Sequence, residues 1–152
     1  MARLPFNVHV FVCCKNGEQD YQYLLLKYPG SEIWQGPAGG GKGHENPAAA
    51  ARREVFEEIG IDGDRTFYQL STVAPVPVTE YSESHLWGDD LYVIPQYYFA
   101  VVVPDQNVTL SSEHDEYRWV NYEEALRIIP FESTRTALWE TDRKLRGLGP
   151  RD

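Results

Sequence analysis

Three glutamates in the middle of the chain, Glu54, Glu57 and Glu58, are spaced so that one helix would present them together. At about 100° per residue, their side chains fall within an arc of about 100°. Like charges about 4 Å apart repel by about 1 kcal/mol in water and by several at a protein surface. The cluster is therefore either a solvated acidic face or a divalent-cation site. Oxygen ligands without His or Cys favour Mg²⁺ or Mn²⁺ over zinc.

The residues around these glutamates predict the helix that would hold them. Asn46 is a favourable N-cap, Pro47 suits the first helical position, and the alanines at 48–51 are strong helix formers. Gly60 is typical of the residue that follows a helix. We therefore predict a helix of roughly three turns from residue 47 to about residue 58.

A glycine-rich run, GPAGGGKGH at residues 36–44, precedes this helix. It nearly matches the P-loop, but Gly43 stands where that motif needs Ser or Thr to hold magnesium, and the helix does not begin directly after Lys42. We interpret the run as a loop whose backbone atoms, those of Gly39 and Gly40 included, approach a bound ligand closely.

The rest of the chain alternates strand and helix signals. A capping box at Asn121 predicts a second helix to about Ile129, and Ser133 is the predicted N-cap of a last helix that ends at Gly147. The polar segment 81–90 is predicted to be a loop. This order of elements indicates an α+β fold. Strands or extended segments are predicted at residues 7–14, 21–28, 66–80, 94–104 and 116–120.

Composition limits the class of partner. One domain, residues 1–152, is the simplest organisation for a chain of this length. With 23 acidic and 14 basic residues, the net charge of −9 argues against a nucleic-acid polymer as partner. A small phosphorylated substrate remains compatible, because a metal ion can supply positive charge. No apolar run approaches the roughly 18 residues of a membrane span.

The two cysteines are adjacent, at Cys13 and Cys14. On a strand their side chains point to opposite faces, which makes them a poor disulfide pair. We interpret them as reduced and buried, and we expect a cytoplasmic protein without a signal peptide. Whether the chain forms a homodimer stays open at this stage.

Residues 39–61 resemble the Nudix box, G-x5-E-x7-R-E-U-x-E-E-x-G-U, in which U is a bulky aliphatic residue. Every fixed position matches. The resemblance implies a Nudix-type α/β/α sandwich with a mixed β-sheet and about three helices. It also implies hydrolysis of a nucleoside diphosphate linked to another moiety, with Mg²⁺ or Mn²⁺. The matching residues are Gly39, Glu45, Arg53, Glu54, Val55, Glu57, Glu58, Gly60 and Ile61.

The resemblance also assigns roles within the box. It implies that Glu54, Glu57 and Glu58 hold or serve the metal and that the backbone carbonyl of Ala38 is a further ligand. The metal would neutralise the diphosphate and stabilise charge as the P–O bond breaks. A carboxylate would accept a proton from the attacking water. Glu54 is favoured as base or ligand, but which glutamate is the general base is left open.

Further roles fall at the edge of the box and outside it. The resemblance implies that Arg53 orients the glutamates and that Glu45 supports the site. Glu113, in the segment 110–120, resembles an additional glutamate that many family members recruit, and it is a candidate both for catalysis and for metal binding. Asp115 and Glu116 are weaker candidates for the same role, and a plain loop carboxylate is the alternative for Glu113. A structural or supporting role is expected for His114.

The substrate is less determined than the family. Three segments, IWQGPAGGGKGHE, QYYFAVVVP and EHDEYRWV, resemble the branch that contains dihydroneopterin triphosphate pyrophosphatase and dATP pyrophosphohydrolases, which release pyrophosphate from a triphosphate. The alternatives are a dinucleoside polyphosphate or an NDP-sugar of the ADP-ribose type, and a binding module without catalysis. A flat base or pterin needs a stacking surface. Candidates for it are Trp34, Tyr81, Trp87 and Tyr97, each with ordinary packing as the alternative.

Overall fold

A mixed seven-stranded sheet organises the computed structural model, which describes residues 2–151. Helix α1 packs on one face of the sheet, and α2 and α3 pack on the other, which confirms the α+β sandwich. The strands are β1 (Arg3–Lys15), β2 (Tyr21–Lys27), β3 (Trp34–Gln35), β4 (Ala38–Lys42), β5 (Tyr68–Pro77), β6 (Val93–Val103) and β7 (Glu116–Val120). The helices are α1 (Pro47–Ile59), α2 (Tyr122–Ile128) and α3 (Glu132–Leu145).

The long strand β1 is the centre of the sheet. It pairs in parallel with β6 along one edge. Along its other edge it pairs antiparallel with β4 through residues 3–9 and with β2 through residues 13–15. Between these two pairings, the Val10 N–H of β1 donates to the Pro37 carbonyl at 2.8 Å, just before β4 begins. The outer strands complete the sheet, with β5 on β6, and β3 and β7 on β2.

Alternation along β1 produces two separate cores. Val8, Val10 and Val12 face α1, whereas His9 and Phe11 face α2 and α3. The β-branched and aromatic side chains of this strand suit a pleated surface that is buried on both faces. The two cysteines at 13 and 14 follow the same alternation, lie in different cores and are both free, as predicted.

The glycine-rich run differs from the sequence prediction. Residues 38–42 form the strand β4 rather than a loop. The glycines permit close packing on both faces of this strand: a Cβ at Gly39 would overlap the carboxylate of Glu54, and a Cβ at Gly40 would approach the guanidinium of Arg3 within 2.5 Å. The side chains of distant elements therefore occupy the space that β4 leaves empty.

Smaller differences concern the ends of elements. Helix α3 begins at Glu132, because the N–H of Arg135 already bonds the carbonyl of Phe131, so Ser133 lies inside the first turn and is not the N-cap. The segment 81–90 contains a short 3₁₀ turn at Ser84–Trp87 rather than only a loop. Among residues 2–151, no helix combines the length and the apolar character needed to cross a bilayer.

Candidate functional site

Helix α1 is anchored at both ends as its sequence predicts. Asn46 Oδ1 accepts a hydrogen bond from the Ala49 N–H at 2.8 Å. Gly60 ends the helix in the left-handed conformation, with φ at +73°, which costs a glycine little. Between these ends, Val55 and Ile59 are buried in the core. This orientation turns Glu54 and Glu58 towards β4.

Glu58 lies deepest in the site, with 3% of its surface exposed. Its Oε2 accepts a hydrogen bond from the Ala38 N–H at 3.1 Å, and its Oε1 accepts one from His114 Nε2 at 2.7 Å. Burial raises the pKa of the Glu58 carboxyl, although the bond from His114 opposes this shift. Burial would lower the pKa of His114, but the bond to Glu58 outweighs it and the pKa is raised.

Glu54 lies one turn earlier, with its carboxylate over the bare backbone of Gly39. Its Oε1 accepts a hydrogen bond from Arg53 Nη1 at 3.0 Å. Burial, followed by the negative charge of Glu58, raises the pKa of Glu54 to about 7. A carboxyl with that pKa exchanges a proton near neutral pH, which a general base requires.

Arg53 holds the carboxylates in place. Its Nε and Nη2 contact Glu45 at 2.7 and 3.0 Å, its Nη1 contacts Glu54 at 3.0 Å and Glu57 at 3.2 Å, and its Nη2 also donates to the Gly40 carbonyl at 2.8 Å. These five bonds employ all five N–H groups of the guanidinium. The contact with Arg53 lowers the pKa of Glu45. Arg53 is therefore built to position its neighbours rather than to bind a ligand.

A cavity of about 360 Å³ opens beside these carboxylates, and we call it the carboxylate cavity. The exposed Glu113 lines it and is brought next to Glu54 and Glu58. Glu57 does not line it, since 49% of its side chain is exposed and it contacts Arg53 at the rim. The cavity is lined by Arg3, Tyr28, Ala38, Gly39, Gly40, Lys42, Glu54, Glu58, Glu83, Glu113 and His114.

A larger cavity of about 580 Å³ adjoins the first, and we call it the moiety cavity. The two cavities share Tyr28, Ala38 and Gly39, so they meet at the edge of β4. The moiety cavity extends over the face of the sheet that carries α3, past the buried Tyr98 and Thr134. Its lining comes from β1, β4, β5, β6 and the start of α3, which are far apart in sequence.

The structure separates the four aromatic candidates. Tyr81 lines the moiety cavity. Trp34 is only 8% exposed and packs in the core beneath α2 and α3. Tyr97 points to the opposite face of the sheet and packs against the α1 core. The indole N–H of Trp87 donates to the Arg3 carbonyl at 2.8 Å, so this ring braces the first strand. Of the four, Tyr81 is the residue that lines one of the two cavities.

Sequence reasoning missed several lining residues. Arg3, Asn7, Tyr28 and Gln96 carry no local motif, and they lie on strands or strand ends far from the Nudix-like box. Tyr28 packs edge-on against the His114 ring at 4.8 Å between ring centres. The sequence signal that could have pointed to them is the presence of polar residues on otherwise buried strands.

The donor set suits a hard divalent cation. Mg²⁺ is usually held by one or two carboxylates together with substrate phosphates, and two inward carboxylates, Glu54 and Glu58, are present. The N–H and C=O of a strand residue point to the same side, so the Ala38 carbonyl faces the side on which Glu58 binds its N–H. In the described part of the chain, no three His, Cys, Asp or Glu side chains converge as a metal centre. This agrees with the outward position of Glu57.

Comparison with known proteins places the chain in a family. Residues 5–142 match the NUDIX domain. An RNA pyrophosphohydrolase from Rhodospirillum rubrum is 28% identical over 136 residues, 86% of this chain and 82% of that protein. An octanoyltransferase from Myxococcus xanthus is 33% identical over 106 residues, 68% of this chain. The chain spans only 27% of the length of that second relative.

Solved structures agree. A NUDIX hydrolase from Listeria monocytogenes superposes with a TM-score of 0.83 and 36% identity, over 95% of this chain and 96% of that one. The Escherichia coli dihydroneopterin triphosphate pyrophosphohydrolase superposes with a TM-score of 0.72 over 90% and 94% of the two chains, but at 21% identity this likeness shows the fold alone. The domain match and the Listeria structure lead to one conclusion: this chain belongs to the Nudix family.

Proposed function

We propose that this chain hydrolyses a phosphoanhydride bond in a nucleoside or pterin triphosphate, releasing the monophosphate and pyrophosphate, with Mg²⁺ or Mn²⁺ as cofactor. The observation that carries the proposal is the pair of buried carboxylates of Glu54 and Glu58, which lie where the carboxylate cavity meets the moiety cavity. A phosphate chain bound beside the carboxylates would place its attached moiety across the edge of β4.

Different residues of the site would bind the cation, accept the proton and position the carboxylates. Glu54 and Glu58, with the Ala38 carbonyl, would hold the cation, which supplies positive charge against the diphosphate and the developing charge on the leaving oxygen. Glu54 is the favoured residue either to hold the cation or to accept the proton of the attacking water; its pKa of about 7 is that of the cation-free site, and a bound cation would lower it. His114 fixes Glu58 through its 2.7 Å hydrogen bond. Glu113 lines the same cavity as a second candidate for the base or for a ligand.

The moiety cavity supports a substrate with one flat ring system. Its volume of about 580 Å³ is that of a site for a small organic molecule, and the ring of Tyr81 forms part of its wall. A dinucleoside polyphosphate or an NDP-sugar is the alternative. The RNA pyrophosphohydrolase from Rhodospirillum rubrum adds a further candidate, an RNA, although the net charge of −9 disfavours binding of a polymer.

A panel of substrates tests the proposal. The protein is incubated with dATP, dihydroneopterin triphosphate, diadenosine tetraphosphate, ADP-ribose and a 5′-triphosphorylated RNA, each with Mg²⁺ and with EDTA. We expect pyrophosphate only from free triphosphates and only with Mg²⁺. AMP with ribose phosphate would instead indicate ADP-ribose, and release from the RNA would indicate the polymer. No turnover of any substrate would favour a binding module.

The variant Glu58→Gln tests the role of the carboxylates. We expect kcat to fall by about two to four orders of magnitude, because a charged ligand of the proposed cation is lost. Glu123→Gln, on the exposed first turn of α2, is the matched control and should retain wild-type kcat. Circular dichroism would confirm that both variants are folded. Wild-type rates in folded Glu58→Gln would refute the proposed role of Glu58.

A further inference from the structure

We propose that Arg3, at the start of β1, is a substrate-phosphate ligand whose guanidinium is held ready between the two cavities. The proposal rests on the proposed function for its substrate class, but the anion site itself is testable without turnover. Arg3 lies 50 residues before the Arg53 of the box, and no local motif marks it. Four structural observations lead to it, on charge, unused donors, placement and rigidity.

The first observation is the charge balance of the carboxylate cavity. Four glutamates line it, at 54, 58, 83 and 113, and Arg3 and Lys42 are the lysine or arginine side chains on its wall. Within residues 2–151, no carboxylate lies within 4.0 Å of the Arg3 guanidinium, so its charge has no ion-pair partner there. An arginine that faces a cavity without such a partner is suited to an anion.

The second observation is the contrast with Arg53. All five N–H groups of Arg53 are bonded within the protein, so this residue has no donor left for a phosphate. Arg3 donates from Nη2 to Asn7 Oδ1 at 2.5 Å, whereas its Nε–H is buried without a partner in the described part of the chain. A buried N–H without an acceptor is costly, and a phosphate oxygen would satisfy it.

The third observation is the placement of Arg3. Its guanidinium lies against Gly40, where a Cβ would come within 2.5 Å of Nε. It also lies over the ring of Tyr81, with Cζ 4.4 Å from the ring centre. Since Gly40 lines the carboxylate cavity and Tyr81 lines the moiety cavity, the positive charge sits where the two cavities meet. A phosphate bound there would connect the cation site with the attached moiety.

The fourth observation is rigidity. The backbone of Arg3 is held on both sides, since its N–H donates to Glu83 at 3.1 Å and its carbonyl accepts from Trp87 at 2.8 Å. The register of β1 with β4 shifts between residues 3 and 7, and such irregularities re-aim side chains. The backbone that carries the guanidinium is therefore already ordered before binding, which favours affinity.

A chain of hydrogen bonds supports the guanidinium from behind. Asn7 accepts from Arg3 through Oδ1 and donates through Nδ2 to Gln96 Oε1 at 2.5 Å. Gln96 Nε2 donates to the Tyr98 hydroxyl at 2.9 Å, which in turn lies 2.9 Å from Thr134 Oγ1. The side-chain amides of Asn7 and Gln96 each accept a hydrogen bond from the Arg3 side and donate one away from it, so all of these bonds are donated in the same direction. Asn7 is thus a positioning residue for Arg3.

Isothermal titration calorimetry with two probes tests the site. The probes are inorganic pyrophosphate and α,β-methylene dATP, which carries a non-hydrolysable link, both in Mg²⁺. We expect Arg3→Gln to weaken binding of each probe about 10- to 100-fold, as the loss of charge-assisted hydrogen bonds predicts. Arg3→Lys keeps the charge but loses the planar fork, and we expect binding about 3- to 10-fold weaker. Asn7→Ala should show a smaller loss in the same direction.

Arg52→Gln is the matched control. Arg52 is also half-buried, lies 5.2 Å over the ring of Phe67 and lines neither cavity. It should bind both probes like the wild type, although it loses the same charge. With whichever panel substrate is hydrolysed, Arg3→Gln should raise KM by a similar factor and leave kcat within about threefold, the pattern of lost ground-state binding.

The outcomes separate this inference from the proposed function. If the wild type hydrolyses a substrate while folded Arg3→Gln and Arg3→Lys both bind the probes as tightly as the wild type, the phosphate site is refuted and the function stands. If Arg3→Gln loses probe binding but the wild type hydrolyses nothing, the site stands and the function fails. Failure of the wild type to bind either probe would overturn the inference, and an unfolded Arg3→Gln leaves Arg3→Lys to decide.

Discussion

At the scale of single residues, tertiary contacts divide a set of glutamates that the sequence treats alike. Glu54, Glu57 and Glu58 share one face of α1, yet only Glu54 and Glu58 are buried. Glu57 lies at the solvent side of their arc and binds Arg53 instead. Glu58 gains two hydrogen bonds and Glu54 gains only one from Arg53. Burial and the charge of Glu58 raise the pKa of Glu54 to about 7, so this carboxyl exchanges a proton near neutral pH.

Because Glu54 takes up a proton near neutral pH, the free energy of unfolding should depend on pH when EDTA keeps the site free of metal. The folded pKa of Glu54, about 7, exceeds the unfolded value of 4.5, so the folded state binds the extra proton between those values. Stability conferred by Glu54 is thus present below pH 4.5 and falls as pH rises to 7, by up to about 3 kcal/mol. Urea unfolding at pH 5, 6, 7 and 8 should show this fall in the wild type and its absence in Glu54→Gln.

The difference in unfolding free energy between the wild type and Glu54→Gln reports on Glu54 alone, because the other titrating groups are the same in both. His9 acts in the opposite direction, since burial lowers its pKa to about 3 and its contribution to stability is lost below pH 6.5, but it is present in both. Added Mg²⁺ should stabilise the wild type more at pH 8 than at pH 5, because the cation competes with the proton. Parallel pH profiles of wild type and Glu54→Gln would contradict the raised pKa.

At the scale of elements, β4 explains why glycines recur at residues 39–41. Glu54 lies over Gly39, Arg3 over Gly40 and the ring of Phe6 over Gly41. Successive residues of a strand face opposite sides, so the three neighbours come from both layers. The run resembles a phosphate loop in composition, but its glycines provide room for side chains. The helix that follows is predicted well because its caps and periodicity are local.

Gly39→Ala tests this role of β4. The new Cβ would overlap the carboxylate of Glu54, which must rotate away from its place in the cavity. Overpacking of this kind costs about 1–3 kcal/mol of stability, and a displaced catalytic group costs about 10²-fold in activity. We expect a small fall in Tm together with a large fall in kcat and weaker Mn²⁺ binding by calorimetry.

Gly149→Ala is the control for that substitution. Nothing lies within 4 Å of a Cβ at Gly149, which is outside the regular elements and has no left-handed φ, so Tm and kcat should stay at wild-type values. If Gly39→Ala behaved like Gly149→Ala, the close contact between β4 and Glu54 would not matter for the site.

At the scale of the whole molecule, Glu140 is one of the α3 side chains that join this helix to the sheet, together with Asp142, which accepts a hydrogen bond from the Tyr23 hydroxyl at 3.0 Å. Glu140 accepts hydrogen bonds from the N–H groups of Ser71 and Thr72 at 2.6 and 2.9 Å, and from Lys144 at 2.7 Å. The pairing of β5 with β6 shifts register at this point, which leaves those amides without ladder partners. Glu140 of α3 therefore supplies acceptors for the β5 amides that the register shift leaves unpaired. The start of α3 also lines the moiety cavity.

Glu140→Gln should loosen this junction. Burial alone would raise the pKa of Glu140, but Lys144 and the Ser71 and Thr72 amides lower it to about 2. The stability it confers is present above pH 4.5 and is lost as pH falls towards 2, so at pH 7 the variant should unfold about 2–3 kcal/mol more easily. Urea unfolding at pH 7 and pH 3 measures this, and the difference should shrink at pH 3.

Glu18→Gln, in the exposed turn between β1 and β2, is the control and should unfold like the wild type at both pH values. A difference between wild type and Glu140→Gln that is as large at pH 3 as at pH 7 would show that packing, rather than the charge of Glu140, holds the helix.

Local chemistry determined much of this protein from sequence alone. The course of α1, its caps at Asn46 and Gly60, the arc of glutamates and the contact of Arg53 with Glu57 four residues on all depend on residues within a few positions of one another. The opposite faces of Cys13 and Cys14 follow from the same short-range rule. These features were predictable because helix and strand periodicity carry them.

Only the tertiary structure decided which distant side chains complete the site. His114 meets Glu58 across 56 residues, and Asn7 meets Gln96 across 89. No periodicity links such pairs, since their contact depends on how β1, β4 and β6 assemble in space. The assembly also placed Arg3 over Gly40 and removed Trp34 and Tyr97 from the cavities. The local sequence therefore determined that three glutamates share one face of α1, whereas packing of the sheet determined which distant side chains lie opposite them.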